Sequence, residues 1–114
     1  MKKVFFILVP LNLGICFAQK VTSSQAGKKT AERCLKLAEN YLRQGDMNSA
    51  FSQAELGLGY DDSISDLYYV KALCRQNMGA TVQEVLELSE TANDKNAWSG
   101  LNEKGNRILL AALL

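Results

Sequence analysis

From Thr30 onward the apolar residues return every three or four positions, the period of a helix that buries one side. Cys34, Leu37, Ala38, Tyr41 and Leu42 make a single apolar face, with Thr30 placed to cap the helix and Arg43 near its end. Gly45 supplies a left-handed turn, and Asp46 stands where it caps a second helix carrying Met47, Ala50, Phe51, Ala54 and Leu58. Gly57, Gly59, Asp61 and Asp62 interrupt the pattern. Ser63, with Asp66 three residues on, approximates a capping box for a third helix from about Ile64 to Asn77. Gly79 ends that helix, and Thr81 with Glu84 forms a clear capping box for a fourth, which lasts to about Ala92. Asn93 to Gly100 reads as a polar loop carrying the only tryptophan, and a fifth helix is predicted from near Leu101 through Ala112.

The first two predicted helices and the next two echo one another. Ala38 meets Ala72 and Gly45 meets Gly79 at a separation of 34 residues, the spacing of a two-helix repeat. Two antiparallel helices approach closely only where a side chain is small, so Ala38 with Ala50, and Ala72 in the second copy, mark the expected crossings. At the same spacing Glu84 falls in the place of Ala50. A shift to 35 residues instead aligns Ala50, Ala54 and their neighbours with Val82, Val85, Leu86 and Ser89, and the pattern leaves both registers open.

The run LAENYLRQGDMNSAFSQAELGL resembles the tetratricopeptide repeat family in its order of small residue, tyrosine, Gly-Asp and alanine. Ala38, Tyr41, Gly45 and Ala50 match that pattern, whereas the customary tryptophan and closing proline are missing, and Arg75 stands where the family tends to an aromatic. The resemblance spans residues 31–92. It implies an all-α fold, antiparallel helix-turn-helix repeats stacked as a short right-handed α-solenoid, followed over 93–114 by a loop and an incomplete third repeat. It also implies a non-enzymatic module that binds a protein or peptide partner in a concave groove lined by the first helix of each pair. Position by position, that groove is Glu32, Leu35, Lys36, Glu39, Leu42 and Arg43 in the first copy. Asp66, Tyr69, Val70, Leu73, Gln76 and Asn77 follow in the second, with Leu35 and Tyr69 as apolar anchors. Family members that clamp a C-terminal carboxylate use paired lysine and asparagine, and Leu35 with Glu39 argues against that ligand. An ordinary solvated helix face is the alternative for each of these positions.

Met1 to Ala18 has the three parts of a secretory signal: basic Lys2 and Lys3, an apolar run from Val4 to Ile15, and small Ala18 before Gln19. Cleavage after Ala18 implies export to the periplasm or cell envelope of a bacterium. The alternatives are an uncleaved anchor, which the short run with Pro10 and Asn12 disfavours, and acylation at Cys16, which bulky Ile15 disfavours. Residues 19–30 are polar and read as a flexible leader. The formal charge is +1, and loss of Lys2 and Lys3 with the signal brings it to −1, giving no support for nucleic-acid binding.

Chemistry is scarce. There is no histidine, which removes the commonest general base and metal ligand, and no phosphate-binding glycine loop, so neither an enzyme nor a cofactor is expected. Cys34 and Cys74, 40 residues apart, do not supply a zinc site. In stacked repeats they would be offset by about 9 Å along parallel helices, beyond the roughly 7 Å reach between bridged Cα atoms, so buried thiols are expected rather than a disulfide. The apolar end, Ile108, Leu109, Leu110, Leu113 and Leu114, reverses the polar face that usually closes a repeat array. It suggests two alternatives: self-association as a homo-oligomer through this helix, or a piece of a longer array.

Overall fold

The structure, a computed structural model, describes the backbone of residues 16–114 and the side chains of residues 25–114. Most of the expected signal lies outside the described residues. Five helices and no strand are found among them: α1 (Cys16–Gln44), α2 (Met47–Tyr60), α3 (Ser65–Asn77), α4 (Val82–Lys95) and α5 (Glu103–Leu113). Each helix packs on the next, and α1 also touches α3. One core cluster joins α1, α2 and α3 through Leu35, Ala38, Ala54, Leu67 and Val70. A second joins α3, α4 and α5 through Ala72, Val85 and Leu109.

The two helix turns are closed by the same bonds, one repeat apart. Gly45 (φ 80°) and Gly79 (φ 90°) both take the left-handed conformation that a side chain would strain. The Gly45 N–H donates to the Leu42 carbonyl and the Asp46 N–H to that of Tyr41. The Gly79 N–H likewise donates to Gln76 and the Ala80 N–H to Arg75. These are paired Schellman closures 34 residues apart, and they satisfy carbonyls left over at the helix ends. Asp46 then caps α2 by accepting from the Ser49 N–H at 3.1 Å, and Thr81 caps α4 by accepting from Glu84 at 3.2 Å. Those caps are 35 apart because Ala80 is an extra residue after the second turn.

Burial follows the same arithmetic. Ala50, Ala54 and Gly57 are the buried residues of α2, and Val85, Ser89 and Ala92 are those of α4, each 35 positions on. Ala38 and Ala72 are both fully buried, 34 apart. The register left open by the sequence is therefore 34 for α1 and α3 and 35 for α2 and α4, with the slip absorbed at Ala80.

Four local expectations change. Residues 19–30 belong to α1 instead of forming an irregular leader, and Thr30 is not its cap: the hydroxyl donates back to the Ala26 carbonyl at 2.8 Å, one turn earlier. Gly57 and Gly59 lie inside α2. At Gly57 a Cβ would stand 3.0 Å from Leu67 Cδ2 and 3.1 Å from Cys34 Cβ, so the glycine is where α1, α2 and α3 press together. The capping box at Ser63 does not form. Ser63 turns back to Asp61 Oδ1 through both its N–H (3.0 Å) and hydroxyl (2.6 Å), and α3 starts without a side-chain cap. Helix α4 extends past Ala92 to Lys95, where Asn96 (φ 47°) ends it.

Arg75 and Glu84, the two departures from the repeat pattern, meet each other. Arg75 Nε donates to Glu84 Oε2 at 2.6 Å, tying α3 to α4, while the guanidinium lies 5.7 Å from the centre of the Phe51 ring on α2. Lys71 sits 5.9 Å from the same ring and pairs with Glu55 at 2.5 Å. A charged ladder thus replaces the aromatic contact across α2, α3 and α4.

Candidate interaction surface

The inner wall predicted from the first helix of each pair is only partly open. Between α4 and α5, residues 97–102 fold back over the N-terminal end of α3. The Ser65 N–H donates to the Ala97 carbonyl at 2.9 Å, and the Ala97 N–H returns to Ser65 Oγ at 2.8 Å. Asp66, fully buried, accepts from the Ser99 N–H at 2.6 Å, the Gly100 N–H at 3.0 Å and Asn102 Nδ2 at 2.8 Å. The same loop reaches α1, where Ser99 Oγ donates to Glu32 at 2.9 Å and Asn102 Nδ2 to Glu39 at 2.8 Å. A carboxylate holding two successive N–H groups and an amide makes charge-assisted bonds, about twice as strong as neutral ones.

Three of the twelve predicted groove residues are consequently not on an open wall. Asp66 is consumed as the loop clamp, and Val70 is fully buried in the first core. Tyr69 packs in the second core under α5, where a Cβ at Gly105 would come within 2.5 Å of its hydroxyl. Burial also pushes the Tyr69 phenol up from its ordinary value. The expected anchor role of Tyr69 fails because α5 and the loop cover that part of α3. Leu35 is 4% exposed and belongs mainly to the core, though its edge is reached from outside.

The other positions line three connected depressions. The first, about 460 Å³, is bounded by Glu32, Leu35, Lys36 and Glu39 of α1 with Lys29, Arg33, Ser99 and Gly100. The next, about 400 Å³, continues past Glu39, Leu42 and Arg43 to Leu101 and Asn102. The last, about 450 Å³, joins α1 to α3 between Leu42, Met47, Leu73, Gln76 and Asn77. Lys29, Arg33, Met47 and the loop residues were not foreseen in the sequence. Leu101, 98% exposed at the rim, is the most open large apolar side chain described.

Of the five residues suggested for self-association, Leu109 and Leu113 turn into the second core, Leu110 is half-buried, and Ile108 and Leu114 are exposed. Asn106, fully buried on the same helix, is satisfied by Ser89: the two exchange Ser89 Oγ to Oδ1 at 2.9 Å and Nδ2 to the Ser89 carbonyl at 3.0 Å.

Cys34 and Cys74 are both free and buried. Burial raises the Cys34 thiol, opposed by Arg33, and pushes Cys74 up to about 11, so Cys74 is protonated at neutral pH. Among the described residues there is no cluster of acidic or sulfur side chains that could hold a metal ion, and no helix is long and apolar enough to cross a membrane. What the surface offers is shape, hydrogen bonding and charge. No family model matches the chain, and no curated protein or solved structure matches it significantly.

Proposed function

We propose that the protein is a non-enzymatic helical-repeat scaffold of the tetratricopeptide kind, a short right-handed solenoid that holds a partner polypeptide along the wall of α1 and α3. The observation that supports it best is the pair of identical turn closures 34 residues apart, which orients α1 and α3 alike. Their side-by-side faces leave the depression between Leu42, Met47, Leu73, Gln76 and Asn77. Its size suits a few side chains of an extended or helical peptide. Leu42 and Leu73 replace Leu35 and Tyr69 as the apolar anchors. The exposed amides of Gln76 and Asn77 give hydrogen bonds that fix direction, while Lys36 and Arg43 set charge preference.

The test is photo-crosslinking in the producing cell. A probe at Gln76 forms a discrete adduct that Leu73→Glu abolishes, whereas a probe at exposed Ser52 on α2 does not. Equal adducts from both positions, or none from Gln76, contradict the reading. Export belongs to the same proposal, supported by the three-part pattern of residues 1–18. A mature chain beginning at Gln19 outside the cytoplasm is the expected product, and an intact Met1 terminus retained inside would refute it. A second reading, self-association through α5, has the exposed Ile108 and Leu114 in its favour. Ile108→Glu would dissociate such an oligomer while leaving the buried Leu109 and Leu113 in place.

A further inference from the structure

Charge is sorted by helix on this protein. Among the exposed residues of α1 from Gln25 onward there are five cations, Lys28, Lys29, Arg33, Lys36 and Arg43, and no anion. The two carboxylates of the same stretch, Glu32 and Glu39, are half-buried and bonded to the loop. Exposed α4 is the reverse: Glu87, Glu90 and Asp94 face solvent, and the one exposed cation, Lys95, lies 5.9 Å over the Tyr68 ring. Lys29, Arg33, Lys36, Glu87, Glu90 and Asp94 make no ion pair among the described residues, where the pairs are Lys71 with Glu55, Arg75 with Glu84 and Arg107 with Glu103.

The two faces also match in spacing. Lys29, Arg33, Lys36 and Asn40 advance in steps of 4, 3 and 4 residues. Asp94, Glu90, Glu87 and Gln83 take the same steps in the opposite direction, so two antiparallel helices set opposite signs against each other at three successive levels and amide against amide at the fourth. In that register Leu37 meets Leu86. Leu37 is 47% exposed, unusual for a leucine on a charged helix face, and its contact adds apolar burial to the charge match.

We propose that the chain associates head to tail with a second copy, the acidic face of α4 in one copy seated on the basic face of α1 in the next. Because the two faces differ, the contact is heterologous: each dimer keeps one free basic and one free acidic face and goes on adding copies. The interaction is carried by exposed charges, so it is strong at low ionic strength and screened within about 10 Å at 0.1 M salt. It goes beyond the reading above and does not need it, since a foreign peptide seated between Leu42 and Leu73 leaves both charged faces in place.

The experiment is sedimentation of the full chain across a concentration series at low and high salt. The average mass rises continuously with concentration at low salt, and association weakens about tenfold or more at high salt. A variant with Lys29→Glu, Arg33→Glu and Lys36→Glu stays monomeric, as does one with Glu87→Lys, Glu90→Lys and Asp94→Lys. Mixed in equal amounts, the two associate again, because each now presents a face opposite in sign to its neighbour. Circular dichroism checks that both remain helical, and the single changes Arg33→Gln and Glu90→Gln, each weakening association several-fold, replace any triple variant that does not fold. A monomeric wild type at low salt, association indifferent to salt, or a mixture that stays monomeric overturns the proposal.

Discussion

Replacing Asp66 with alanine takes away a buried carboxylate and the three bonds by which α3 holds residues 97–102. The donors are the Ser99 N–H at 2.6 Å, the Gly100 N–H at 3.0 Å and Asn102 Nδ2 at 2.8 Å. A hydrogen bond to a charged group contributes about 1.5–3 kcal/mol, which would give a gross loss of roughly 4.5–9 kcal/mol for three. Most of that is not realised. Ser99 and Gly100 are exposed, so their N–H groups find water once released, and removing the carboxylate also removes the cost of burying it. A net loss of about 2–3 kcal/mol remains, equivalent to a fall in Tm of about 10–20 °C for a domain of this size. Asp66→Asn is the informative control: it preserves volume but turns an amide NH2 toward groups that are themselves donors, so it recovers little of the loss. Thermal melting by circular dichroism measures the stability, and amide exchange at Ser99 and Gly100 reports the loop directly. If Asp66→Ala melts within about 1 °C of wild type and the two amides exchange no faster, the clamp contributes nothing and the reasoning fails.

Three further outcomes follow from single positions. Gly57→Ala drives a methyl to 3.0 Å from Leu67 and 3.1 Å from Cys34 and costs about 1–3 kcal/mol, whereas Gly59→Ala, with nothing within 4 Å, is neutral or stabilising; urea midpoints of the two variants separate them. Glu84 is held below its ordinary 4.5 by its hydrogen bond to Arg75, so its contribution is present above about pH 4.5 and fades as pH falls through the lower folded value. The difference in urea midpoint between wild type and Glu84→Gln therefore shrinks in acid; a difference constant with pH would refute the pairing. Cys74 is raised from 9.0 to about 11 by burial, so its contribution is complete below pH 9 and is lost as pH climbs through 11. Wild type should lose stability in that window more steeply than Cys74→Ala, and equal slopes would contradict the burial.

The turns were legible because their causes are local. Gly45 with Asp46, and Gly79 with Thr81, each act on backbone groups within four residues, so the letters alone carry the geometry. Asp66 was misassigned for the opposite reason. It stands where a capping box would place a carboxylate, but its partners lie 33 to 36 residues further on, in a loop whose path no local pattern specifies. Gly57 looked like a helix breaker because glycine usually is one; only the approach of Leu67 and Cys34 shows that the absent side chain is what lets α3 settle on α1 and α2. Arg75 and Glu84 each weakened the repeat pattern when read singly, yet they form one contact between neighbouring helices. Tyr69 and Val70 had the periodicity of a groove face, and that periodicity does not say whether solvent or α5 lies beyond it.

The proposed scaffold depends on the second hairpin lying against the first, and the seam between them is the contact of Leu67 with Gly57 and Cys34. Nuclear Overhauser contacts from the Leu67 methyls therefore examine it without any partner present. Contacts to the Gly57 Hα and Cys34 Hβ protons, from α3 across to α2 and α1, are what the stacked arrangement predicts. Leu67 methyl contacts confined to α3 and α4 would separate the hairpins and leave the wall between Leu42 and Leu73 without foundation.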